Sequence, residues 1–158
     1  MPVSSPGNTS VDSCFYAGGL RFSCKRCSAC CRHEAGFVFL SEKDVASLKT
    51  ALIMELEEFL EIYCRWIPMG NGKDSLSLKE KSNFDCIFWQ IDGCSVYGTR
   101  PLQCRAFPFW SSVVADKEAW EMAAKECPGM NSGDLHSHES IKNWLVIRKK
   151  EPIISRNA

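Results

Sequence analysis

Four cysteines lie within eight residues of this sequence, in the run Cys24-Lys25-Arg26-Cys27-Ser28-Ala29-Cys30-Cys31. A Cys-x-x-Cys-x-x-Cys spacing lets one loop direct three sulfurs at a common point, because each two-residue gap turns the backbone back toward an ion. Iron–sulfur ferredoxins use this three-cysteine run, and zinc knuckles use its Cys-x-x-Cys half. The run therefore predicts a metal site without identifying the metal.

Cys31 is harder to place than the other three cysteines of the run. Its Cα lies about 3.8 Å from that of Cys30, and successive side chains tend to diverge rather than share one ion. We expect Cys31 to serve a second centre, to bridge two centres or to make no metal bond.

The cysteine content indicates ligands rather than disulfides. A chain of 158 residues is long enough for one domain with a real core, and ten cysteines are many for a domain of this size. Residues 1–13 are rich in Ser, Pro, Gly and Asn, and they resemble neither a signal peptide nor a transit peptide. No run approaches the roughly 20 apolar residues of a membrane span. We therefore predict a cytoplasmic protein whose thiols stay reduced.

The charge balance argues against a nucleic-acid partner. Lys plus Arg and Asp plus Glu both number 19, so the chain lacks the basic excess that neutralises phosphates. We expect no nucleic-acid or membrane partner, and the sequence leaves a redox or protein partner open. It also contains no glycine-rich phosphate loop, no His-Glu-x-x-His helix and no Ser/His/Asp order, so hydrolase and kinase functions have no support.

Helical and extended patterns alternate along the chain. Ser41 precedes two acidic residues, which is typical of a helix N-terminus, and apolar residues continue from there at helical spacing. A second helical pattern covers residues 55–66. The other predicted elements are an extended segment at 20–23, strands at 36–40 and 76–78, and helices at 111–126 and 138–149.

A second block of cysteines predicts a β-hairpin. Residues 86–89 and 94–97 flank Asp92-Gly93, a strong signal for a hairpin turn, and each arm carries a cysteine near its start. Residues 100–109 contain two prolines that predict turns, with Cys104 in between. Cys127-Pro128 follows the helix predicted at 111–126, as a distant Cys-Pro ligand follows the cysteine run in ferredoxins.

Eight cysteines remain as metal ligands when two are set aside. Cys14 lies in the N-terminal tail as a spare thiol, and Cys64 lies beside an apolar helix face as core filler. None of His33, His136 and His138 is assigned as a ligand. The predicted metal ligands are Cys24, Cys27, Cys30, Cys31, Cys86, Cys94, Cys104 and Cys127.

These motifs resemble the CxxCxxCC (YkgJ-like) family of zinc- or iron-chelating domains. The resemblance rests on Phe22-x-Cys24-x-x-Cys27-x-x-Cys30-Cys31 and on Cys94-x-x-Tyr97-x-x-Arg100-Pro101-x-x-Cys104-Arg105-x-Phe107-Pro108. It covers roughly residues 22–129 and implies a metal-chelating domain. Some relatives in this family are flagellin lysine methylases, which keeps an enzyme possible.

Arginines near the cysteines suit an anionic centre. Four thiolates around Zn²⁺ or around a 2+ cubane leave a net charge of about −2. We expect Arg100 and Arg105, which flank Cys104, to lie in the outer shell of the centre, where donors to sulfur tune it. Tyr97 is a candidate for the same role, with packing on the core as the alternative.

The sequence predicts an α+β fold: a small cysteine-rich metal-binding domain of short helices and an antiparallel β-hairpin around the metal site. Its parts are a flexible tail at 1–19, the cysteine-cluster domain at 20–130 and a C-terminal helix and tail at 131–158. Three functions remain open: an iron–sulfur protein with a redox or electron-transfer role, which we favour; a zinc-binding structural or adaptor domain; and a metal-dependent enzyme. No residue is predicted as catalytic.

Overall fold

The computed structural model describes residues 14–32 and 35–158, and in them the chain is an α+β domain. The predicted tail therefore lies largely outside the described residues, as does His33. The helices are α1 (Glu42–Ala51), α2 (Leu56–Tyr63), α3 (Leu102–Ala106), α4 (Lys117–Ala124) and α5 (His138–Lys150). The strands are β1 (Leu20–Phe22), β2 (Cys64–Pro68), β3 (Lys73–Leu78), β4 (Trp89–Gln90), β5 (Gly93–Cys94), β6 (Met130–His136) and β7 (Ser155–Asn157).

The described strands form three small antiparallel sheets. β1 pairs with β6, β4 pairs with β5, and β3 lies between β2 and β7 in the third sheet. The sheet of β1 and β6 joins the strand before the cysteine run to a strand more than a hundred residues later. None of the helices in the described ranges is long and apolar enough to cross a lipid bilayer.

The strand predicted at 36–40 is only partly formed. Leu78 donates to the Val38 carbonyl and Leu40 donates to the Leu76 carbonyl, so the segment runs along the edge of β3 beside β7. The Phe39 amide instead donates to the Gln103 side chain at 3.0 Å. The Val38 amide donates to the Ser77 hydroxyl at 3.1 Å and not to the Leu78 carbonyl, so only an isolated bridge between Phe39 and Ser77 remains.

The predicted helix start at Ser41 is confirmed. The Ser41 side chain accepts from the Asp44 amide at 3.1 Å, and the Asp44 carboxylate accepts from the Ser41 amide at 2.9 Å. This reciprocal capping box satisfies donors that a helix N-terminus otherwise leaves free. The C-terminal helix is also confirmed, since α5 covers His138–Lys150.

The second helix is shorter than predicted. Residues 55–66 have helical periodicity, but α2 ends at Tyr63 and the chain continues as β2. Cys64 pairs with Leu78, and Trp66 pairs with Leu76. Aromatic and β-branched residues suit a strand once a partner is present, so the long-range pairing overrides the local pattern.

The second half of the chain differs from the prediction at three elements. The hairpin at Asp92-Gly93 forms, but its strands are two residues long, so Cys86 precedes β4. Residues 102–106 form the short helix α3 rather than only turns, with Pro101 at its N-cap. The helix predicted at 111–126 begins at Lys117, because the Asp116 side chain accepts from the Ala119 amide and caps it there.

Two apolar clusters stabilise the domain. The first contains Leu40, Leu48, Phe59 and Leu76, and Cys86 and Cys94 pack against it. The second contains Phe109, Trp120, Met130 and Ile141, and Cys127 and Phe22 pack against it. Three of the predicted ligands thus pack against these clusters, two against the first and one against the second.

Candidate metal centre

The cysteine loop is held in a tight, turning conformation. Arg26 and Ser28 have φ values of 53° and 67°, which residues other than glycine rarely adopt. The Arg26 amide donates to the Cys24 sulfur at 3.3 Å. Backbone N–H donors to sulfur are typical of the surroundings of thiolate-bound metals.

Cys30 and Cys31 lie in a 3-10 turn, Ala29–Cys31, and their sulfurs are 3.8 Å apart. The hydrogen bond between them, with a smaller effect from the charge of Arg100, lowers the pKa of Cys30 to about 6. The same hydrogen bond and burial raise the pKa of Cys31. The two adjacent thiols therefore differ in how readily each would release its proton to a metal.

Backbone contacts bring the second cysteine block to this turn. The Cys86 amide donates to the Cys31 carbonyl at 2.7 Å. Trp89 donates to the Cys86 carbonyl and pairs across the hairpin with Cys94. The hairpin therefore positions Cys86 and Cys94 near Cys31.

Cys104 is positioned by a contact that the sequence patterns do not reveal. It lies in α3, whose first residue, Leu102, donates its amide to the Asp44 carboxylate at 2.8 Å. Asp44 is only 4% exposed, and Leu102 is fully buried. The capping residue of α1 thus also anchors the helix that carries Cys104. The only local signal for this role of Asp44 was its position three residues after the N-cap serine, Ser41.

Cys127 reaches the first cysteine run through a close backbone approach. The Ser23 amide donates to the Gly129 carbonyl at 3.2 Å. A Cβ on Gly129 would overlap the Ser23 carbonyl, so glycine permits this approach. The turn after Cys127 therefore lies against the start of the cysteine loop. A glycine after Cys-Pro was the only local signal for this role.

Three cavities are lined by these cysteines, and two of them, the inner and the outer cavity, together include all eight. The third, of about 280 Å³, is lined by Cys30, Cys31, Cys86 and Cys104. The inner cavity, of about 120 Å³, has walls that include Phe88, Val96 and Leu78. The outer cavity, of about 330 Å³, has walls that include Phe22, Phe107 and Trp110. Cys24, Cys30, Cys31, Cys86, Cys94 and Cys104 line the inner cavity. Cys24, Cys27, Cys30 and Cys127 line the outer cavity. All eight predicted ligands thus line one cavity or both.

Cationic side chains lie at the inner cavity. The guanidinium carbons of Arg26 and Arg100 are 4.1 Å and 3.8 Å from the centre of the Tyr97 ring, and all three residues line this cavity. Arg105 donates to the Arg100 carbonyl at 3.0 Å and lines neither cavity. Sequence reasoning selected Arg100 and Tyr97 but missed the contact of Arg26 with the ring.

The donor set fits a thiophilic metal. All ten cysteines are free thiols, and Zn²⁺ and iron–sulfur clusters are the groups that sets of thiolates hold. Within the described ranges, no three His, Cys, Asp or Glu side chains are already placed to hold one ion. The sulfurs would therefore move inward on binding, over the short distance that side-chain rotation allows.

Burial keeps four of these thiols protonated in the absence of a metal. Burial is the main cause that raises the pKa of Cys86, Cys94, Cys104 and Cys127. A thiol with a raised pKa keeps its proton until a metal displaces it.

The two cysteines set aside lie apart from both cavities. Cys64 is buried in the first apolar cluster, and burial raises its pKa to about 12. Cys14 packs against the second cluster. His136 contacts the Phe22 carbonyl at 2.8 Å, and His138 lies against Tyr16. None of these four residues lines a cysteine cavity.

Comparison with known proteins supports metal binding. A family model described as "Putative zinc- or iron-chelating domain" matches residues 23–128. An uncharacterized protein from Methanocaldococcus jannaschii is 29% identical over 126 residues, which cover 75% of this chain. The chain spans 63% of that protein's length. No solved structure matches the chain.

Proposed function

The chain belongs to the CxxCxxCC family of zinc- or iron-chelating domains, and we propose that it is an iron–sulfur protein with a redox or electron-transfer role. One observation carries the choice of iron–sulfur: Cys24, Cys27, Cys30 and Cys127 line the same cavity. A three-cysteine run with a distant Cys-Pro ligand is the ligand pattern of bacterial ferredoxins.

The surroundings of the thiols support a redox role. An iron–sulfur centre, when bound, takes up and releases single electrons. Its potential depends on hydrogen bonds to sulfur, on nearby charge and on exposure to water. The Arg26 amide supplies a hydrogen bond to Cys24, and Phe107 and Trp110 shield the outer cavity. Arg26 and Arg100 place positive charge beside the inner cavity.

A zinc-binding structural or adaptor domain is the second candidate. Cys31, Cys86, Cys94 and Cys104 come from four different segments, and a closed four-thiolate zinc site is a common means of joining such segments. A metal-dependent enzyme, such as a protein methylase relative, is the third candidate. No contact in the described residues favours it over the first two.

The proposed setting is the cytoplasm, with a redox or other protein as the partner. A reducing compartment keeps ten free thiols available to a metal. The zero net charge gives no support to a nucleic-acid partner, and we propose neither a nucleic acid nor a membrane as a partner.

Visible absorption before and after reduction tests the redox role. Protein purified without oxygen should absorb visible light, and dithionite should bleach that absorption reversibly. Cys127→Ser should lower the absorption, whereas the matched variant Cys14→Ser should leave it unchanged. A colourless protein that contains zinc would overturn the redox proposal and support the structural one.

A further inference from the structure

Four of the eight cysteines line the outer cavity, and the four that do not line it all line the inner cavity; the third cavity joins Cys30 to three of the latter. Cys27 and Cys127 line only the outer cavity. Four cysteines line the inner cavity and not the outer one: Cys31, Cys86, Cys94 and Cys104. Cys24 and Cys30 line both. If the two shared cysteines are assigned to the outer set, each set has four thiols, the number that a tetrahedral zinc site or a cluster requires.

We propose that this chain holds two separate four-thiolate metal centres, one in each cavity. The outer centre takes Cys24, Cys27, Cys30 and Cys127, and the inner centre takes Cys31, Cys86, Cys94 and Cys104. This assignment rests on the proposed metal binding, and it adds the number of centres and the ligands of each.

The scaffold holds the two sets by independent contacts. The Cys86 amide donates to the Cys31 carbonyl, which joins members of the inner set, and Cys86 and Cys94 pack on the first apolar cluster. The outer set is joined by the hydrogen bond from the Ser23 amide to Gly129, and Cys127 packs on the second cluster. Each set therefore lies at the margin of a different core.

Cys30 and Cys31 stand at the boundary between the sets. Their sulfur separation of 3.8 Å would by itself suit two ligands of one zinc, whose sulfurs are about 3.8 Å apart when the Zn–S bonds are about 2.3 Å. Their surroundings differ, however. Cys30 lines the outer cavity together with Cys127, whereas Cys31 lines only cavities that also contain Cys86 and Cys104. Assigning adjacent cysteines to different centres gives each centre its fourth ligand.

Charge at the boundary supports two neighbouring anionic centres. Each four-thiolate centre with a 2+ core has a net charge of about −2, so two of them repel. Arg26 and Arg100 pack on Tyr97 beside Cys24 and Cys30, the two cysteines that line both cavities. Two guanidinium groups at this position offset that repulsion.

Cobalt titration counts the centres whatever the native metal is. The reduced, metal-free chain is titrated with Co²⁺ alone, and thiolate-to-cobalt charge-transfer absorption reports the ions that thiolates bind. The wild-type chain should bind two ions, and Cys14→Ser, which removes a thiol outside both sets, should also bind two. Cys30→Ala and Cys31→Ala should each bind one.

Double variants show which centre each of the adjacent cysteines serves. In a Cys127→Ala background, adding Cys30→Ala should cause no further loss, because both residues belong to the outer centre. Adding Cys31→Ala to the same background should abolish binding. Gly129→Ala, which retains every thiol, should weaken only the outer centre by displacing the Cys127 turn from Ser23.

The outcomes separate this inference from the proposed function. One cobalt ion per wild-type chain would overturn the two-centre assignment and leave a single iron–sulfur or zinc centre tenable. Loss of all binding in Cys30→Ala would overturn the assignment of ligands. Two ions in a protein that is isolated with zinc alone would support the two centres and overturn the redox role. No thiolate-bound cobalt in the wild-type chain would overturn both.

Discussion

Replacing Asp44 tests whether a residue outside the cysteine set positions one of the ligands. One carboxylate oxygen of Asp44 accepts from the Ser41 amide at 2.9 Å, and the other accepts from the Leu102 amide at 2.8 Å. Ser41 is 1% exposed and Leu102 is fully buried, so water cannot readily replace the lost acceptor at either amide. Asp44→Ala should therefore leave two buried amides without a partner.

The expected loss of stability follows from those two amides. A buried donor without a partner costs about 1–3 kcal/mol, so two such donors, after partial relaxation, should lower the free energy of unfolding by about 3 kcal/mol. For a domain of this size, that corresponds to a fall in Tm of about 6–12 °C. Asp44→Asn retains one acceptor oxygen and should cost about half as much.

Urea denaturation of the metal-loaded protein, followed by circular dichroism, measures this loss. Glu42→Ala is the matched control, because Glu42 lies in the same first turn and is exposed. It should change the free energy of unfolding by about 0.5 kcal/mol or less. Asp44→Ala should also weaken cobalt binding at the inner centre, since Leu102 begins the helix that carries Cys104. A free energy of unfolding for Asp44→Ala within about 0.5 kcal/mol of the wild type would refute this reasoning.

Four further predictions concern the metal, its surroundings and the buried thiol. Removal of the metal by a chelator should lower the Tm and reduce the circular dichroism, because metal binding and folding are coupled; unchanged values would refute the coupling. Arg100→Gln should lower the reduction potential of an iron–sulfur centre more than Arg105→Gln does, since the charge of Arg100 acts on Cys30, which lines both cavities, whereas Arg105 lines neither; equal effects on the potential would contradict this. Burial raises the pKa of Cys64 to about 12, so in the metal-loaded protein at pH 8 iodoacetamide should modify Cys14 well before Cys64. Equal rates of modification of these two cysteines by iodoacetamide, measured by mass spectrometry of peptides, would show that Cys64 is not protected. The part of the free energy of unfolding that depends on the neutral Cys64 thiol should fall as the pH rises from about 9 toward 12, because the unfolded chain loses that proton first.

Local signals predicted those elements that local contacts determine. The capping pair Ser41 and Asp44 is three residues apart, and α5 likewise begins at a serine N-cap, Ser137. Both helices could therefore be predicted from a few neighbouring residues. The turn at Asp92-Gly93 is equally local, although the length of its strands is not.

Elements that depend on distant partners were not predicted. Residues 64–66 continue a helical pattern, and only pairing with β3 makes them a strand. β6 contains Asn131 and Gly133 with positive φ and has no regular alternation of apolar residues, so nothing local marks it as the partner of β1. The helix α3 depends on an acceptor 58 residues away, at Asp44.

The candidate site shows the same division between local and distant information. The spacing of the cysteines identified the thiols, because metal ligation requires a particular residue type at short intervals. Their distribution between two cavities was not available from spacing. It depends on the approach of Gly129 to Ser23 and on the hydrogen bond from Cys86 to Cys31, both of which are tertiary contacts.

Analysis of iron, zinc and acid-labile sulfide in protein purified without oxygen decides whether this chain holds an iron–sulfur centre. We expect iron with a matching amount of sulfide, and Cys27→Ala should reduce both, while Cys14→Ser should reduce neither. Stoichiometric zinc without sulfide would contradict the iron–sulfur claim, and a wild-type chain free of any transition metal would contradict metal binding itself.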